Sequence, residues 1–522
     1  MRHTAAALTA FVAAAALALA GCGNPKDPEG WAKRAASRSR LDEKLQALGE
    51  VRKAPGDRKA AVPALVEIVK DPGTHPRARA EAAVALGEIG DPAAIPALLA
   101  AANPAATERD AMELNRHVAD ALGELRAREA VPVLKSLTSS PDGFTQVAAV
   151  DALGKIGDPA AVDTLVAIAT GERIEPFTAK KALLALGRIG DARAGPPVMQ
   201  MLFEERPGVS FFPEAAFAVV EIGPPMSAPL LAVLEGKDEK LAAWAREHRV
   251  VPGALYAKSA QLLGDVGGPD AVPPLVKKLS YQDSDAGIAT YVRVFAAESL
   301  GRLRARDAAR PLAELAAREK DPDVRDRYCD ALARIGDPDI VPVLRSAAAA
   351  APSWELREGP LVALSRLGGE PERKVVDEAR AKQCARGCAP AVEAAYEAMR
   401  ARLDAAKACA NAACWAGKLG DASAAVRDRA ALEVGRAGGA AQAGALGDAI
   451  VRPVSNEGDL AARYHAVLAL TWISAREKLG KAGADAAAKI EAMLVQDRGR
   501  TLTAGVNEDA LRLATRLQRA AR

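Results

Sequence analysis

Apolar positions recur along most of this chain at helical spacing, and one corner sequence punctuates them again and again. In a clear copy, Ala82, Ala83, Leu86 and Ile89 fall on one side of a helix. Ile95, Leu98 and Leu99 form the stripe of the next. Between them stands Gly90-Asp91-Pro92. The glycine suits a left-handed helix stop, the aspartate can cap the following helix, and a first-turn proline is tolerated. The pattern predicts a helix, a sharp corner and a second helix. Neither helix can bury its stripe alone, so such units must stack.

The corner belongs to a longer phrase, Ala85-Leu86-Gly87-Glu88-Ile89-Gly90-Asp91-Pro92. It returns closely from Ala152, Ala185 and Ala331, and more loosely from Ala47, Ala121, Ala218, Leu262, Ser299, Ala363 and Leu432. The first glycine or its substitute falls at 49, 87, 123, 154, 187, 220, 264, 301, 333 and 365. Steps of 31 to 44 residues mark a solenoid. The expectation is all-α: an α-solenoid of about ten to eleven helical hairpins. Gly87 sits where a side chain would hold neighbouring helices apart. The array is read over 41–370 and resumes, with a capping helix, over 421–522.

Composition sharpens this picture. Half of the 522 residues are hydrophobic but only 4% are aromatic. The abundant alanine favours helices with thin, close-packed layers. A formal charge of +3 gives no push toward nucleic acid. At the N-terminus, Arg2 precedes an apolar run, Ala5 to Ala20, broken only by Thr9. That run is short for a membrane span and has the length of a secretory core. It ends in Leu19-Ala20-Gly21-Cys22. Residues 23–40 are Gly-, Pro- and charge-rich, so 22–40 reads as a flexible tether.

Two stretches interrupt the repetition. The longest step holds an insertion near Glu235 to Pro252, and eight of nineteen aromatics gather around it. Aromatics anchor interfaces, so Phe211, Phe212, Trp244 and Tyr256 are candidate partner-binding residues. The competing reading is that they fill wider gaps between irregular repeats. The second stretch, 371–420, reads as a helical insertion carrying Cys384, Cys388, Cys409 and Cys414. A helix over 389–408 would be ~30 Å long and would hold the two pairs apart. Each pair then closes on itself as a disulfide, in preference to a shared zinc. Cys329 aligns with Ala83 and reads as a buried small hydrophobe.

Signs of catalysis are sparse. None of His75, His117, His248 and His465 lies near another histidine or directly before a glutamate. Neither a phosphate-cradling glycine loop nor a Gly-x-Ser-x-Gly elbow occurs. No catalytic residue, metal, cofactor or small-molecule substrate is expected.

The repeat phrase, with Val324-Arg325 and Val426-Arg427 upstream in some copies, resembles HEAT repeats of the PBS-lyase type. That resemblance implies that Arg325 and Arg427 serve the ladder between repeats. It also supplies the alternative function, a bilin-lyase-like or other HEAT-repeat enzyme. Leu19 to Cys22 resembles the lipobox of bacterial lipoproteins. The resemblance implies a signal peptide over 1–21, cleavage between Gly21 and Cys22, and lipidation of Cys22. Gly23 after the cysteine implies outer-membrane sorting. The expectation is an exported scaffold or adaptor, anchored by its lipid, that faces the periplasm and binds an unidentified protein.

Overall fold

The computed structural model describes residues 27–497 and 499–521. Gly21 and Cys22 lie outside the described residues. The chain divides into two compact units, one up to Ala218 and one from Val219.

Both units are built from helical hairpins, each a long helix followed by a shorter one. In the first unit the long helices are α1 (Pro76–Ile89), α2 (Arg109–Glu124), α3 (Gly143–Ile156) and α4 (Pro176–Ile189). Each packs against the next. In the second unit the long helices are α5 (Pro252–Val266), α6 (Ala286–Arg302), α7 (Pro322–Ile335) and α8 (Trp354–Leu367). They continue as α9 (Pro390–Ala408), α10 (Ala424–Ala437), α11 (Glu457–Arg476) and α12 (Ala504–Ala521).

The corner behaves as its chemistry dictates. Gly90, Gly157, Gly190 and Gly336 all have φ between 71° and 76°. Asp91, Asp158, Asp191 and Asp337 each accept the backbone N–H two residues on, at 2.9–3.0 Å. They cap a single 3-10 turn, such as Pro92–Ala94, that feeds the short helix. Where the glycine is missing, the left-handed turn persists: Arg126 and Arg304 take φ of 51° and 54°.

The other glycine sets the spacing of the row. A Cβ built on Gly87, Gly123 or Gly154 would stand 2.8–2.9 Å from the Cα of Ala121, Ala152 or Ala185 on the next long helix. Glycine against alanine lets the backbones touch. Ion pairs add a ladder between neighbouring helices: Arg52 to Glu88 (2.7 Å), Lys155 to Glu124 (2.9 Å) and Arg188 to Asp151 (2.6 Å). Such exposed pairs contribute at most about 1 kcal/mol each.

One stretch departs from the expected plan, and the two expected insertions take definite form. The tether expected over 22–40 contains a helix, Pro28–Ser37, capped by Asp27, with Ala32 and Ala35 buried. A capping aspartate, a first-turn proline and two alanines three residues apart outweigh the local charge. The long step near 235–252 is filled by an added helix, Glu239–Glu247. The Cys-bearing stretch is helical, and its helix α9 packs against both α8 and α10, taking a place in the long-helix row. Among the described residues one two-stranded hairpin, Glu205–Arg206 with Val209–Ser210, stands between the helices.

Candidate partner-binding surfaces

The four aromatic candidates meet different fates. Phe211 is fully buried, with the Arg206 guanidinium 4.8 Å from its ring centre, so it belongs to the core of the first unit. This corrects its assignment as a contact residue: it sits just before its helix and turns inward. Phe212 is half-buried. Trp244 is half-buried and stacks on His248 at 4.4 Å. Tyr256 is half-buried, edge-on to Tyr281 at 5.6 Å, with the Lys278 ammonium 3.3 Å from its ring centre. Burial pushes that amine down to about 8.

Within the aromatic-rich stretch Tyr291 is 58% exposed, and among the described residues the two most exposed phenylalanines lie outside it. Phe144 is 72% and Phe177 55% exposed, on α3 and α4 of the first unit. Sequence reading passed over them because they lie outside the aromatic-rich stretch. Register was the available signal: each stands ten residues before the spacing glycine, where α1 has Arg77 and α2 has Glu113.

Both cysteine pairs are local disulfides, Cys384–Cys388 and Cys409–Cys414, with Cα separations of 4.6 and 5.4 Å. They bracket α9 at its two ends. Glu393 lies close to the first pair, but Arg380 binds it at 2.5 Å. Peptide mapping without reduction is expected to return those two links; a peptide joining Cys388 to Cys409 would contradict the arrangement. Cys329 is buried, and desolvation pushes its thiol up to about 12, far from a nucleophile.

The largest polar constellation is internal to the second unit. Asp428 on α10, only 1% exposed, accepts from Arg366 of α8 (2.8 Å) and Arg402 of α9 (3.0 Å). His465 of α11 lies 2.5 Å away through Nδ1. Arg366 also reaches Asp330 of α7 at 2.6 Å, and Arg334 pairs with the same Asp330. Arg429 donates to the carbonyls of Ser365 and Gly368, both at 2.7 Å. Five successive long helices are thus stapled through one carboxylate and its neighbours. Two guanidiniums hold the Asp428 carboxyl well below the usual range. Because they already neutralise it, burial wins at His465 and pushes the imidazole down to about 4.

This shift has a sign. The folded state keeps His465 neutral, while the unfolded chain takes up a proton near 6.5. Between those values only the unfolded state is protonated, so stability is full above about 6.5 and falls as pH drops toward about 4. Denaturant midpoints measured across that window are expected to fall in the wild type and to flatten in His465→Asn. Parallel curves would count against the buried neutral imidazole.

The remaining histidines are dispersed. His75 caps the Arg77 N–H, and His117 is half-buried beside Arg116. Arg325 donates to the Ala347 carbonyl, and Arg427 to the Asp421 and Ala422 carbonyls and to Asp459. Arg427 thus ties its hairpin to the next, whereas Arg325, contrary to the between-repeat ladder expected of it, joins the two helices of its own hairpin. On the C-terminal helix α12, Arg512 faces Asp265 at 3.8 Å and Arg519 faces Glu221 at 3.0 Å, bracing the second unit from within. Beside α12, an apolar groove of about 620 Å³ is lined by Leu494, Val495, Ala504 and Leu511. Among the described residues no single helix is long and apolar enough to cross a membrane.

Stacked hairpins with glycine-spaced long helices and capped corners define an α-solenoid. The sequence family described as HEAT repeats matches residues 12–115, 104–179, 252–327 and 311–395, more than half of the chain. The chain belongs to the HEAT-repeat family. No curated protein matches it. Among solved structures it is similar to human deoxyhypusine hydroxylase in complex with glycerol (24% identity, 52% of this chain and 95% of that one, TM-score 0.22). It is also similar to importin beta (14%, 91% and 72%, 0.48) and to a Kap95:Nup1 complex (13%, 95% and 68%, 0.37). Likenesses this distant lend no function to the chain.

Proposed function

We propose that the protein is a non-catalytic interaction scaffold of the bacterial cell envelope, with PBS-lyase-type HEAT repeats, exported and held to the outer membrane by a lipid on Cys22. The observation that carries the binding role is the row of packed long helices in the first unit, with Phe144 and Phe177 exposed on two of them. Two disulfides in half-exposed corners fit an oxidising compartment such as the periplasm. A HEAT-repeat enzyme of the iron-hydroxylase kind would need histidines gathered at one centre. His75, His117, His248 and His465 have separate surroundings, which favours the scaffold.

Fractionation of cells fed radiolabelled palmitate tests the anchor. Label and protein are expected together in the outer membrane, and Cys22→Ala is expected to lose both. A wild-type chain that stays unlabelled would overturn the anchoring.

A further inference from the structure

We propose that Lys278 is a covalent capture site, where the side-chain amine condenses with a small, flat aldehyde to form an imine. The site belongs to the second unit and goes beyond the scaffold reading. Lys278 closes the short helix Val272–Lys278, which follows α5. Its Nζ lies 3.3 Å from the Tyr256 ring centre and 5.2 Å from that of Tyr281. The two rings stand edge-on at 5.6 Å. All three side chains are half-buried. Glycines make room for this cradle. The Tyr256 hydroxyl rests against Gly236, 3.2 Å from where a Cβ would stand. Gly253 of α5 leaves the space where the Tyr281 hydroxyl and the Asp283 carboxylate meet, 3.4 and 3.3 Å from its own Cβ position.

The carboxylates beside the cradle are held by other donors. Asp283 accepts the Tyr281 hydroxyl at 2.7 Å and the Asp285 N–H at 3.1 Å. Asp285 accepts the Gly287 and Ile288 N–H groups at 2.8 and 3.1 Å. Among the described residues no carboxylate pairs with Lys278, and the charge acting on it is that of Lys277, of like sign. A ring face attracts a cation. It does not replace the water and the counter-ion that an ammonium needs, so burial moves the balance toward the neutral amine, down to about 8. At pH 7 a group titrating there is neutral in about one molecule in ten, against about one in 2,500 for an ordinary lysine. Only the neutral amine has the lone pair that attacks a carbonyl carbon. Attack forms the C–N bond and sends the C=O π pair to oxygen. The nitrogen then gives up both protons, one to that oxygen and one to solvent. The oxygen takes a second proton from solvent and leaves as water while C=N forms. Amine and aldehyde thus give imine and water, with no oxidant or reductant. The tyrosine rings around the amine favour a flat, conjugated aldehyde over an alkyl one.

The test treats the full chain with benzaldehyde and cyanoborohydride at neutral pH, which fixes each imine as a benzylamine. Peptide mass spectrometry then reads every lysine, with Lys277, adjacent and exposed, as the internal reference. Benzyl groups are expected on Lys278 at least tenfold faster than on Lys277, and propanal in place of benzaldehyde is expected to narrow that ratio. Tyr281→Phe frees the Asp283 carboxylate to pair with the ammonium. It is expected to slow Lys278 at least threefold and to leave Lys277 unchanged. Asp283→Asn, alone or combined with Tyr281→Phe, leaves no carboxylate to free and is expected to keep the wild-type rate. Circular dichroism checks that each variant keeps its helices. Equal labelling of the two lysines would overturn the proposal. So would a slowed Lys278 in Asp283→Asn, or an unchanged one in Tyr281→Phe. Equal preference for Lys278 with both aldehydes would overturn the choice of a flat ligand.

Discussion

Asp428→Ala is expected to cost the second unit at least ~3–5 kcal/mol, the scale for breaking a buried ion pair by removing one partner. The alanine would strand Arg366, Arg402 and His465 against one another. Two guanidiniums would then share a site that is almost closed to solvent, with Asp330 the nearest remaining carboxylate. The loss should be local to the helices the carboxylate joins. Hydrogen exchange should accelerate across Trp354–Leu367, Pro390–Ala408, Ala424–Ala437 and Glu457–Arg476, and less in Pro76–Ile89. Asp428→Asn keeps the shape and loses the charge, so an intermediate loss is expected. A change below about 1 kcal/mol in the alanine variant would mean that water or another acid replaces the carboxylate.

Gly154→Val is expected to be the most damaging single change in the first unit. Its Cβ would stand 2.8 Å from both the Cα and the Cβ of Ala185. Backbone cannot rotate away, so the two helices must separate, and overpacking of this kind costs about 1–3 kcal/mol or more. A valine adds its branched methyls to that conflict and gains less helix propensity than alanine would. Gly49 is the internal control. It holds the same place in the repeat phrase, yet nothing lies within 4 Å of its Cβ position. Gly49→Ala should be neutral or stabilising by up to about 1 kcal/mol, the intrinsic gap between glycine and alanine in a helix. Thermal melts of the two variants check this directly. Equal effects would mean that the glycines act through propensity and not through close approach.

These two sites show what a single sequence can and cannot convey. The corners at Gly90, Gly157, Gly190 and Gly336 were legible because backbone conformation and capping are local. The spacing glycines were legible because they recur in register. Arg126 and Arg304 defeat the local rule: the surrounding stack imposes a left-handed turn that their side chains disfavour. The Asp428 cluster was invisible, since Arg366 and Asp428 are 62 residues apart and either alone resembles a solvated charge. Phe211 was misplaced because crowding of aromatics along the sequence says nothing about which way each turns. Phe144 and Phe177 were overlooked for the converse reason: at a register otherwise polar, they were not read against their counterparts Arg77 and Glu113. The helix over Pro28–Ser37 escaped because charge and proline outweighed two alanines in the reading, though not in the fold.

The claim that this HEAT-repeat stack grips a protein partner is most directly tested by cross-linking in intact cells, followed by identification of what is captured. The wild-type chain is expected to capture a discrete protein repeatedly. Capture should fall in Phe144→Ala/Phe177→Ala, and in Cys22→Ala if anchoring positions the chain. Capture of only abundant bystanders, the same in wild type and in both variants, would contradict the account.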